Sequence, residues 1–165
     1  MRCLAALESI NRLLFALAAG ATVIMALLGA TIVLLRYGFS IGSIAAQEGL
    51  MYLHAFVLLA ASATTLALNG HVRVDIFYGR MSPARQALID LFGSLLLLWP
   101  MMGFVLWVSW DYVAVSWARG EVSPEPGGLP WVYLLKSLML LFALQMLVQG
   151  TMQMLRAWQA WRGEA

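Results

Sequence analysis

Residues 13–35 read LLFALAAGATVIMALLGATIVLL, 23 positions without a charge or a proline. At 1.5 Å per residue a helix of that length covers about 34 Å, enough to cross the ~30 Å hydrocarbon layer of a bilayer. It is too long for the apolar core of a secretory signal, so it reads as a retained span. Outward from it the same theme recurs three times. Residues 50–68 carry one potentially ionisable group, His54, and stop at Asn69-Gly70. Residues 83–110 open with Ser82 as N-cap and Pro83 at the first helical position, with Asp90 near the start. Residues 131–155 follow the loop Ser123-Pro124-Glu125-Pro126-Gly127-Gly128 and Pro130, carry Lys136 in the first turns and lead into a short polar tail. The expected fold is an all-α membrane protein, a single four-helix membrane domain over 1–165, with spans at about 13–35, 50–68, 83–110 and 131–155.

Composition agrees, because 62% of the 165 residues are hydrophobic and only 11% charged, too few to cover a water-soluble domain. The charges gather in short segments between uncharged runs. A net charge of +2 on scattered basic residues excludes a nucleic-acid surface. The single cysteine, Cys3, excludes an internal disulfide and a thiol relay across the membrane. The two helix pairs differ in length and charge, so no inverted repeat of a self-contained carrier is evident.

Four spans put both termini on one side, and arginine placement chooses which. Arg2, Arg12, Arg73, Arg80, Arg85, Arg156 and Arg162 fall on one side, against Arg36, Arg119 and the boundary residue Lys136 on the other. The positive-inside rule then makes both termini cytoplasmic, with the loops 36–49 and 111–130 outside. Tryptophans agree: Trp107, Trp110, Trp117 and Trp131 fall at the expected outer boundary, and Trp158 and Trp161 at the inner one. Trp99, beside Pro100 in mid-span, is the exception. There the proline removes a helical hydrogen bond and is expected to kink the helix.

The spans offer little for chemistry. Asp90 and Lys136 lie near helix ends and read as interfacial anchors, with pairing to charges on neighbouring helices as the alternative. His54 reads as a hydrogen-bonded structural histidine. His54 and His71 lie on one helical segment, about 25 Å apart as helix, so they cannot share a haem iron. No His/Cys/carboxylate cluster suggests a metal, and no polar stripe down one helix suggests a conducting path. No catalytic residue and no cofactor are expected. Ala60, Ala63, Thr64 and Ala67 form a small-residue face, open both to internal packing and to a partner helix.

Short segments in order along the chain then carry a likeness. Arg36-Tyr37-x-Phe39 follows the first span and Gly70-His71-Val72-x-Val74-Asp75 the second; Ser82-Pro83-x-Arg85 opens the third; Ser123-Pro124 and Leu129-Pro130-Trp131 precede the fourth. Together they resemble the small membrane (DctQ-type) subunit of tripartite ATP-independent periplasmic (TRAP) transporters, over about 36–155. Before the second span the family often has a tryptophan and two acids, where this chain reads Ala45-Ala46-Gln47-Glu48.

The resemblance implies a non-enzymatic scaffold in the bacterial inner membrane. Its partners would be a large multi-span subunit, which holds the substrate and sodium sites, and a periplasmic binding protein delivering an organic acid. Expected interface or structural residues are Arg36, Tyr37, Glu48, His71, Asp75, Pro124, Pro130 and Trp131. His71 and Asp75 are expected to cluster with the arginines of the loop between the second and third spans.

Overall fold

The computed structural model describes residues 2–68, 70 and 78–162, with side chains from residue 9 onward. Four helices among the described residues are long and apolar enough to cross a membrane: α1 (Arg2–Phe39), α2 (Ile44–Ala67), α3 (Pro83–Arg119) and α4 (Val132–Arg162). There is no strand among them.

Each helix outlasts the apolar run that announces it. α1 begins well before Leu13, and α2 begins at Ile44, where the Ser43 hydroxyl accepts the Ala46 N–H at 3.3 Å. α3 continues past Trp110 to Arg119, so the expected outer loop 111–130 shrinks to 120–131. The reason is packing: Val113 and Ser116 continue the buried stripe begun at Ser109, and an exposed charge at Asp111 does not stop a helix. Gly120 stops it. At φ +56° Gly120 donates its N–H to Trp117 O, and the Glu121 N–H reaches Ser116 O, both at 3.1 Å, in a glycine-terminated cap. α4 runs on to Arg162 with Ala157 buried, so the expected polar tail is helix as far as Arg162.

α2 ends near the expected Asn69-Gly70 stop, with the Gly70 N–H on Thr65 O at 2.8 Å. At the start of α3, Ser82 is the N-cap through its backbone. Its carbonyl accepts the Arg85 and Gln86 N–H groups at 2.9 and 3.0 Å, and its side chain makes no capping bond.

Inside α3 a π-helical turn, Ser94–Leu98, stands just before Pro100. The Trp99 N–H bonds back to Ser94 O, five residues away. A proline ring presses on the carbonyl four residues earlier, and the extra residue of a widened turn moves that carbonyl aside. The lost hydrogen bond expected at Pro100 is thus absorbed by this turn, which brings Leu98 against α4. A Cβ added to Gly150 would lie 2.5 Å from Leu98 Cδ2, so the leucine methyl would have to turn aside to admit one. Trp99 is satisfied in mid-span because its indole N–H donates to Thr151 Oγ1 at 3.2 Å.

The helices lie in a row in the order α1, α2, α4, α3. α4 packs along α2 on one side and α3 on the other, while α1 packs on α2 and barely meets α4. A closed bundle would give every helix two full neighbours; here α1 and α3 have one each. The core is correspondingly thin. Ala63, Met102 and Met146 form its centre, with Leu66, Leu98, Val105, Phe142 and Leu147 around it. The small face of α2 serves internal packing at Ala60, Ala63 and Thr64, which are buried, while Ala67 is exposed.

Candidate functional site

Thin packing leaves broad apolar surface on both faces of the row. Leu27 is 65% exposed on α1, and Leu97 and Trp107 are 73% and 75% exposed on α3. In a bilayer such surface faces lipid tails or another protein. What keeps the row in register is polar, and it is concentrated at two levels.

At the end away from the termini, Glu48 in the second turn of α2 grips the loop 120–131. Its Oε2 accepts the Leu129 N–H at 2.6 Å, and its Oε1 accepts the Ser123 hydroxyl. The Ser123 N–H bonds Leu129 O at 3.0 Å, and the Glu125 N–H bonds Ser123 Oγ at 3.1 Å, so the Pro/Gly-rich segment is a folded turn. Gly128 completes it. A Cβ there would meet Ser123 Cβ at 2.6 Å and Glu48 Oε1 at 2.8 Å. Beside this grip, Glu121 pairs with Lys136 of α4 at 2.5 Å, and the ammonium lies 3.9 Å from the centre of the Tyr112 ring. The hydrogen-bonded ammonium holds the Glu121 carboxyl below its ordinary pKa. The Trp117 indole N–H donates to Ser137 Oγ at 2.8 Å, and its ring lies 4.7 Å from that of Tyr133. Lys136 is thus paired rather than simply anchored at the interface.

The second level is one that sequence reading missed. α4 carries Gln145, Gln149 and Gln153 at four-residue spacing, followed by Arg156. This is a polar stripe where none was expected. It faces α2 and α1. The Gln145 side-chain amide donates to Leu59 O and, at 3.1 Å, to Ser62 Oγ. Gln149 Oε1 accepts from Asn11 Nδ2 at 3.3 Å, and Thr64 Oγ1 donates to Asn11 O at 3.0 Å. Asn11 and Gln149 are only 7% and 3% exposed, so these are interhelical ties, each worth roughly 0.6 kcal/mol on average in membrane proteins. The four-residue spacing was the available signal. Nearby, Asp90 accepts the Tyr78 hydroxyl at 2.8 Å, a partner on the chain beyond simple anchoring.

The expected interface residues fall in three groups. Glu48 is turned inward to the loop. Arg36 and Tyr37, in the last turn of α1, point outward and are exposed together with Phe39, and Pro124, Pro130 and Trp131 are exposed on the 120–131 turn and at the foot of α4. His71, Asp75 and Arg73, with the cluster expected of them, lie outside the described residues. His54 departs from expectation. It is exposed and makes no hydrogen bond among the described residues, lining an apolar groove of about 610 Å³ between α1 and α2 with Met25, Gly29 and Met51.

Against known proteins, the family described as tripartite ATP-independent periplasmic transporters, DctQ component, matches residues 24–160. No curated protein and no solved structure matches the chain. The matched stretch includes all of α2 and α3, the Glu48 grip and the whole of the α4 stripe.

Proposed function

The chain belongs to the DctQ component family of tripartite ATP-independent periplasmic transporters, and on that footing we propose that it is the scaffold subunit of a sodium-driven, binding-protein-dependent carrier for organic acids. In this reading a large multi-span subunit carries the substrate and sodium sites, a periplasmic protein delivers substrate, and both termini of the present chain face the cytoplasm of a bacterial cell. A moving carrier needs a stationary element to work against. The observation that supports the role is the open row: apolar faces too broad for its own thin core, held in register by hydrogen bonds at two levels.

One corner is singled out for partner contact. Arg36 and Tyr37 stand exposed at the end of α1, and interface hot spots favour Arg and Tyr. Affinity purification of this chain from membranes that also contain the large subunit should recover both. Arg36→Ala with Tyr37→Ala should lower recovery of the large subunit about fivefold or more, while this chain stays in the membrane. Recovery unchanged by the double substitution would move the contact elsewhere on the row, and no recovery with the wild-type chain would contradict the reading.

A further inference from the structure

The groove of about 610 Å³ between α1 and α2 has an apolar floor and two unlike walls. Gly29 lies half-buried in it, and a Cβ added there would rest in ordinary contact with Leu50, at 3.8 Å. The α1 wall is Ala26 and Ala30, both exposed, so no bulky side chain there holds off an incoming helix backbone. The α2 wall is Gln47, Met51 and His54, exposed at four- and three-residue spacing on one face. Neither the Gln47 side-chain amide nor the His54 imidazole has a hydrogen-bond partner among the described residues. His54 lies inside the apolar run 50–68, six residues or about 9 Å of helix from the Glu48 grip. A polar side chain on the outer face of such a run is costly against lipid tails and calls for a polar partner.

The occupant's chemistry follows from the two walls. An acyl chain fills an apolar groove but brings His54 no partner. A second helix does both, because its backbone can approach Ala26 and Ala30 closely while its side chains reach the polar groups on α2. Gln47 and His54 are seven positions apart, so a helix running beside α2 meets them with side chains two turns apart. The α1 side of the groove also leads to the exposed corner. Arg36 follows Gly29 by seven residues and Met25 by eleven, and Tyr37 stands in the same relation to Ala30 and Ala26, so along the continuous helix α1 they share one stripe. We propose that the groove seats a transmembrane helix of the large subunit, with small residues toward α1 and hydrogen-bonding side chains (hydroxyl, amide or carboxylate) two turns apart toward Gln47 and His54. The large subunit as occupant rests on the scaffold role proposed for this chain; the groove is the part of the row that meets it.

The test purifies the full chain by affinity from membranes that also hold the large subunit and reads the large subunit recovered, alongside thermal unfolding of the chain purified alone. Gln47→Leu and His54→Leu should each lower recovery about threefold and together roughly tenfold. The chain's own unfolding midpoint should not fall, because neither side chain has a hydrogen bond to lose among the described residues. His54→Gln, which keeps a hydrogen-bonding group, should retain most of the recovery, and Met51→Trp, which fills the groove, should lower it about tenfold or more. A photo-reactive benzoylphenylalanine at position 51 should crosslink to the large subunit. Full recovery with both the Gln47→Leu/His54→Leu pair and Met51→Trp would overturn the groove while leaving the partnership standing. Absence of the large subunit from the wild-type eluate would instead overturn the partnership, and the groove's occupant with it. Crosslinks from position 51 to phospholipid alone, or to a second copy of this chain, would also overturn the proposal.

Discussion

Glu48 and Glu121 show how little a charge's place in the sequence says about its work. Glu48 was expected as an interface or structural residue, and its carboxylate closes the 120–131 turn through Leu129 and Ser123. That partner is 81 positions away in sequence, too far for local spacing to foretell. Glu121 is a titratable element of the same region. Its pKa is depressed by the Lys136 hydrogen bond, so its stabilising contribution is fully present above the ordinary carboxylate pKa and is lost as pH falls through the depressed value. Thermal unfolding of the wild type and of Glu121→Gln between pH 7 and pH 3 measures this. The wild type should be the more stable at neutral pH, and the gap should close in acid below about pH 4. A gap constant over that range would mean that the ion pair adds nothing. Because the Glu121 side chain is 37% exposed, solvent and salt reach the pair, so the gap should be small and should shrink in salt.

The helices themselves were legible, since a 23-residue uncharged run has one physical reading in a bilayer. Their ends were less so. α3 passes Asp111 and α4 passes Leu155 because buried small residues, Ser116 and Ala157, carry each contact beyond the apolar run. The π turn could not be read from Pro100 alone, because a proline can be met by a kink or by a widened turn; in the structure Leu98 of the widened turn lies against Gly150 of α4. That fit predicts a specific coupling. Gly150→Ala should cost about 1–3 kcal/mol in unfolding free energy through overpacking, and Leu98→Ala in the same chain should recover part of it. Denaturant titration in detergent checks both. Costs that simply add would show that the turn and the glycine are independent.

The open row is the property no local signal announces, for the same four apolar helices can close into a bundle or lie side by side. Here the glutamine stripe of α4 ties it to α2 and α1, leaving α1 and α3 at the two ends of the row. The proposed orientation, with both termini cytoplasmic, rests on arginine placement and predicts an accessibility pattern. With Cys3 replaced by serine, Arg80→Cys should be shielded from an impermeant thiol reagent on intact cells and Gly127→Cys labelled; the reverse would invert the topology. The central claim is that this chain moves nothing alone and is required by a larger carrier. Vesicles containing this chain, the large subunit and the binding protein should take up organic acid on imposition of a sodium gradient, and vesicles lacking only this chain should not. Undiminished uptake without it, or sodium-driven uptake by this chain alone, would contradict the account.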